Sequence, residues 1–211
     1  MSRTSLSEFP APLVADTSAV INLIATGLAP TILGALPDRL LVVDVVPDEL
    51  ENGRTRGRKD ADRLRELVIA GLVQVVTLGG KASVYFEGLV VGPAAATLDD
   101  GEAATIAYAL EHAGTALIDE RKATRICAGR FHTLRVCSTV ELLTHSEMEA
   151  HLGLESLATA VFNALHDGRM GVLPDQLDRV VRMIGAERAA LCGSLPKAVR
   201  PSTPVLAEHR Q

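Results

Sequence analysis

Apolar positions along the chain fall into short continuous runs, separated by stretches with helical spacing. Pro12 to Ala15 is a short apolar run that ends at Asp16 and reads as a buried strand. Thr17 and Ser18 can cap the next helix, and Ala19 to Gly27 keeps a helical period with Gly27 as its stop. A second short helix is expected from about Pro30 to Leu36. LLVVDVV, Leu40 to Val46, is the next strand, and Pro47 fits the first position of a helix that Gly53 closes. Residues 58–70 hold Leu64, Leu67 and Val68 at helical spacing, and Leu72 to Leu78 reads as a third strand. Residues 79–97, rich in Gly, Ala and Val, show no clear period.

The pattern sharpens again at Asp99, which opens the helix DDGEAATIAYALEHA closed by Gly114. Thr115 to Ile118 is a strand ending at Asp119, residues 120–130 form a helix, Leu134 to Cys137 is a last strand, and a helix runs from Ser138 to about His145. Strands alternating with helices predict an α/β fold, a three-layer αβα arrangement around a central parallel sheet. From residue 146 the strands stop and two or three helices follow, a helical C-terminal extension. The expected organisation is a disordered lead over 1–11, the αβα domain over 12–145, the extension over 146–195 and a disordered, proline-rich tail over 196–211. In the extension Leu152, Leu154, Leu157, Val161, Phe162 and Leu165, then Leu177, Val180, Val181 and Ile184, mark apolar helical faces. Those faces can pack on the domain, build a homodimer or receive a partner helix. No internal repeat is present.

Composition narrows the class. Of 211 residues 47% are apolar and 22% charged, as in a globular protein, and aromatics are only 3% with no Trp. A platform of aromatics for stacking unpaired bases is therefore not expected. The net charge of −5 excludes a wholesale basic face, so nucleic-acid binding must rest on local clusters. Cys127, Cys137 and Cys192 lack CxxC spacing and are read as reduced, mostly buried thiols of a cytoplasmic protein. No run is long enough to span a membrane.

Candidate chemistry lies in the acids. Asp16 and Asp119 close apolar strands, Glu49 sits in the first turn after the second strand, and Glu102 in the first turn of the helix before Thr115. In a parallel sheet with helices on both faces, all strand C-termini share one edge, where ligands bind. Four carboxylates from distant parts of the chain are expected there. Their mutual repulsion is removed by a hard divalent cation, Mg²⁺ or Mn²⁺, which favours oxygen ligands and keeps several waters. Such a site activates water against a phosphodiester. Each acid also has a plain structural reading, because acids are favoured at helix N-termini and Asp99 with Glu102 has capping-box spacing.

Several segments resemble PIN domains. LVADTSAVINL, Leu13 to Leu23, is similar to their opening strand and helix, and VVPDELENG, Val45 to Gly53, to their second acidic element. LDDGEAATIAYAL, Leu98 to Leu110, resembles the GE-containing helix of one subfamily, and Ala116 to Leu143 its closing segment, where an Asp is followed by a second acid and an Arg-rich helix. The resemblance covers about residues 12–145. It implies a nuclease fold whose members include VapC-like toxin ribonucleases, with an RNA substrate and an antitoxin protein as partners. Asp16, Glu102 and Asp119 are then the metal ligands, and Glu49 is a fourth catalytic acid that holds water at the metal. The chain departs from many PIN toxins in having Ile118, where they show a Thr-x-Asp or Ser-x-Asp, directly before Asp119.

Position alone singles out the supporting residues. Ser18 can orient Asp16, Asn22 lies one turn further along the same helix, and Glu120 is a spare acid beside Asp119. Arg54, Arg56, Arg58 and Lys59 come after Glu49, and Arg121, Lys122, Arg125 and Arg130 come after Asp119; Arg121 and Arg125 are the expected RNA-binding residues. GGKAS, Gly79 to Ser83, lacks the glycine and hydroxyl of a phosphate loop, and no zinc pattern or nucleophile elbow occurs. Two rivals remain: a phosphoacceptor domain, which would need a Lys where the last strand ends in Cys137-Ser138, and a binding module of the same fold without nuclease activity.

Overall fold

The computed structural model describes residues 11–54 and 57–200. The lead over 1–10 and most of the tail, residues 201–211, lie outside the described residues, as does Arg56.

Five short strands form one all-parallel sheet: β1 (Leu13–Ala15), β2 (Leu40–Val43), β3 (Val73–Val76), β4 (Thr115–Leu117) and β5 (Arg135–Cys137), in the order β3-β2-β1-β4-β5. The side-chain period of two sorts each strand between two layers. Val14, Val43, Ala116 and Ile118 face one apolar cluster, whereas Leu13, Ala15, Val42, Leu117 and Cys137 face the other. Helices α5 (Gly80–Val90), α6 (Asp100–Glu111) and α7 (Arg121–Arg130) cover the first face. The second is covered by α1 (Thr17–Ala25), α2 (Ala29–Gly34), α3 (Val45–Arg54), α4 (Asp60–Ile69) and α8 (Thr139–Leu143).

Helices α9 (Ser146–Leu152), α10 (Leu154–His166), α11 (Leu177–Ile184) and α12 (Ala186–Leu191) join that second layer. Leu157, Val161, Leu165, Val180 and Ile184 are buried in the same apolar cluster as Leu23 and Leu117. The apolar faces read from the extension therefore pack on the αβα layers, with Leu154 the exception at 62% exposed. All three cysteines are free and buried.

Local differences from the sequence reading have simple causes. Helix α1 begins at Thr17 and not Ala19, because Asp16 itself is the cap: its Oδ1 accepts from the Ala19 amide at 2.7 Å. The strand read as Leu40 to Val46 stops at Val43, and α3 starts at Val45, two residues ahead of Pro47. Residues 79–97, without a readable period, contain α5, whose first amides at Lys81 and Ala82 donate to the distant Glu111 carboxylate at 3.2 Å each. Among the described residues after 145 there are four α-helices where two or three helices were expected, because Gly153 and Gly185, at φ 77° and 83°, break the apolar stretches.

Candidate active site

The strand order reverses at β1: β2 lies on one side of it and β4 on the other, which opens a crevice beyond their C-terminal ends. Asp16 comes directly after β1, and its amide donates to the Leu117 carbonyl at 3.2 Å. The register pairs Ala15 with Leu117, so Asp119 stands one residue further out than Asp16. Both carboxylates are buried, at 1% and 8% exposed.

Their donors come from several elements. The Ser18 hydroxyl lies 3.0 Å from each Asp16 oxygen. The Asn22 amide donates to Asp119 Oδ2 at 2.7 Å, and the Thr139 backbone N–H donates to Oδ1 at 2.7 Å. Burial still dominates. It pushes the Asp16 carboxyl up to about 8, and the charges of Asp119 and Glu102 add to the rise. Burial raises Asp119 as well, against the donors from Thr139 and Asn22. Glu102, half-buried in the first turn of α6, is pushed up to about 7 by burial and then by Asp99, with Glu120 adding; the Asp99 amide opposes the rise. Asp99 caps α6 by position only, without a side-chain bond. Glu120 is exposed and caps α7, accepting from the Arg121 and Lys122 amides.

Glu49 does not line the same cleft as Glu102 and Asp119. Its carboxylate accepts from the Thr17 hydroxyl and, at 3.0 Å, from the Gly101 amide. It lines a neighbouring cleft of about 250 Å³ with Thr17, Ile21 and Arg58. Gly101 has to be glycine for this contact, since a Cβ there would stand 2.6 Å from Glu49 Oε2.

The main cleft, of about 360 Å³, is lined by Ser18, Asn22, Glu102, Asp119 and Glu120, and also by Arg58, Gly168, Arg169 and Gly171. The last three come from the loop after α10, to which the sequence reading assigns no role. Their signal lies in the run Asp167-Gly168-Arg169-Met170-Gly171, an arginine framed by two glycines between helices. A Cβ at Gly168 would meet Asn22 Oδ1 at 3.0 Å, and one at Gly171 would meet the Asp119 carbonyl at 3.3 Å. Arg121 Nη2 donates to the Val172 carbonyl at 3.3 Å and so braces this loop. Arg125 is exposed on α7 and does not line the cleft. Arg54 is paired with Glu51 and Asp62, and Arg58 with Asp60.

A scan against family models matches residues 12–186 to a family described as a PIN domain. The chain belongs to the PIN-domain family. Comparison with curated proteins and with solved structures returned no match. A PIN domain points to nuclease-type function in general, with nucleic acid as the substrate class. Its matched residues run past 145 and take in α9 and α10, the loop that walls the cleft, and α11. Among the described residues no helix is long and apolar enough to cross a membrane.

The donor set suits a hard divalent cation. It is all oxygen, and burial leaves Asp16, Glu102 and Asp119 short of positive charge. Among the described residues no group of three acid, His or Cys side chains is gathered closely enough to chelate an ion outright. A cation at this PIN-domain cleft would therefore have no more than two of these carboxylates as direct ligands.

Proposed function

We propose that the chain is a metal-dependent ribonuclease that hydrolyses RNA phosphodiester bonds. The observation that carries this is the pair Asp16 and Asp119. Two buried carboxylates stand at the switch point of a PIN-domain sheet, held towards protonation by burial with no basic side chain bonded to either among the described residues. Such a pair is costly unless a cation resolves it.

Asp16 and Asp119 would hold Mg²⁺ or Mn²⁺, with Glu102 holding water in its shell. A bound cation of this kind lowers the pKa of water and neutralises charge on the phosphate. Ser18 and Asn22 fix the two aspartates in orientation, each spending one donor on them. Glu49 would act from the rim, tying α1 to the start of α6 through Thr17 and Gly101, with a remaining lone pair for a water at the cleft edge. Glu120 adds negative charge beside Glu102. The general resemblance to PIN domains, whose members include toxin ribonucleases, is what suggests a toxin role with an antitoxin protein as partner; Ile118 before Asp119 departs from many of those toxins.

The deciding experiment is Mn²⁺ binding by calorimetry together with cleavage of a single-stranded RNA, on the wild type and on Asp16→Asn with Asp119→Asn. Loss of both signals in the double variant is expected. Undiminished cleavage by that variant would remove the assignment. Mn²⁺ binding by the wild type without any cleavage would favour the binding-module reading.

A further inference from the structure

Arg169 is an oddity of the backbone. Its φ is 58°, in the left-handed region that side chains rarely adopt, and glycines stand at 168 and 171. The surroundings hold it there. Gly168 is pressed against α1 and α10, where a Cβ would meet the Ala164 carbonyl at 2.7 Å and the Ala25 side chain at 2.9 Å. The Met170 amide donates to the Ala164 carbonyl at 2.9 Å, and the Met170 side chain is fully buried. Beyond it, Val172 is tied to Arg121. An unfavourable conformation kept by a well-packed loop on the wall of a cleft is where a positioned side chain is to be sought.

The charge arrangement says what that side chain meets. Arg58 and Arg169 are the arginines that line the cleft. The Arg58 guanidinium is occupied by Asp60, with Nε 2.6 Å from Oδ2. Arg169 is exposed and makes no hydrogen bond or ion pair among the described residues, although Glu102, Asp119 and Glu120 line the same cleft. Its five donors are free for a ligand that enters beside the acids. A planar fork of donors matches two non-bridging phosphate oxygens.

We propose that Arg169 is a substrate-binding residue that grips the backbone phosphate of the nucleic acid entering the acid cleft. This rests on the nuclease reading above. Arg169 reaches the cleft from the loop after α10, so the C-terminal helices take part in substrate recognition as well as in the core.

The test uses Arg169→Gly and Arg169→Lys in the full chain, with RNA-cleavage kinetics, Mn²⁺ calorimetry and thermal unfolding. Glycine accepts the left-handed backbone, so Arg169→Gly should melt at or above the wild-type temperature and bind Mn²⁺ as the wild type does. Its kcat/KM should fall 10-fold or more, chiefly through KM, and the slope of log affinity against log salt should shrink by about one. Arg169→Lys, a point charge without the fork, should recover part of the loss. Unchanged KM and salt slope in Arg169→Gly, with Mn²⁺ binding and wild-type cleavage intact, would overturn the proposal alone. A wild type that neither binds Mn²⁺ nor cleaves RNA would overturn the nuclease reading, and this one with it.

Discussion

The side chain of Asn22, on α1, donates to Asp119 Oδ2 at 2.7 Å across 97 positions of sequence. It is buried at 3% exposed, and it supplies Asp119 with a donor but no charge. Replacing it by Asp sets another buried carboxylate against Asp119. Asn22→Asp should lower the melting temperature in chelator by roughly 5 °C or more, since a lost buried partner costs about 1–3 kcal/mol and like charge adds to that. Added Mn²⁺ should restore much of the loss. Thermal unfolding with and without Mn²⁺ checks this, and a variant indifferent to the cation would place the ion elsewhere.

The raised acids set the pH dependence of the metal-free protein. The folded-state pKa of Asp16 is about 8 against an ordinary 3.8, and that of Glu102 about 7 against 4.5. The folded state therefore holds these protons more tightly than the unfolded chain. Their contribution is fully present below about pH 4 and is lost as pH rises to about 8. In chelator, urea unfolding should show stability falling across that window, on top of other groups' effects. Asp16→Asn should flatten the fall and be the more stable protein at pH 8. A wild type whose stability rises from pH 5 to 8 as steeply as that of the Asp16→Asn protein would contradict the assignment.

Cation binding must then release protons. Calorimetry of Mn²⁺ at pH 6.5, in buffers of different ionisation enthalpy, should show about one to two protons released per ion, from Asp16 and Glu102, declining towards pH 8.5. Affinity should climb over the same interval. Binding that takes up no buffer-dependent heat would mean that the ion avoids Asp16.

Gly101 offers a sharper structural test. Alanine is favoured over glycine inside a helix by about 1 kcal/mol, so propensity alone predicts that Gly101→Ala is stabilising. The Cβ would stand 2.6 Å from Glu49 Oε2 and 2.9 Å from Thr17 Oγ1. The clash should win, with a net loss of about 1–3 kcal/mol in urea unfolding. Glu49→Ala should relieve much of that loss in the double variant, as a double-mutant cycle would show.

At the opposite end of α6, Glu111 caps α5 by accepting from the Lys81 and Ala82 amides. Glu111→Ala leaves those donors without their carboxylate and should cost about 0.5–2 kcal/mol without changing Mn²⁺ affinity. A change in affinity would show that α5 communicates with the cleft.

Much of this architecture is legible in the chain because its signals are local. Apolar runs at Leu13–Ala15, Leu40–Val43 and Thr115–Leu117 mark buried parallel strands, and the acids that come after two of them land on one edge by topology alone. Two other features were illegible for the same physical reason. Helix α5 takes its N-terminal support from Glu111, 29 residues beyond Ala82, and hides only Ala82 and Leu89 fully, so neither cap nor period announces it. The loop at Gly168 shows an arginine framed by glycines, but nothing local says that it abuts Asn22 and Asp119. The bonds of Glu49 in the neighbouring cleft are equally non-local, since its partners Thr17 and Gly101 lie 32 and 52 residues away.

The wall formed by Gly168, Arg169 and Gly171 bears on the order in which the protein is made. Synthesis delivers Asp16, Glu102 and Asp119 early, while the loop that lines the cleft with Glu102 and Asp119 follows about fifty residues after the last acid. Leu157, Val161 and Leu165, which complete the apolar layer behind α1, belong to that same late stretch. A protein assembled in this order acquires its working cleft only once α10 and the loop behind it have emerged.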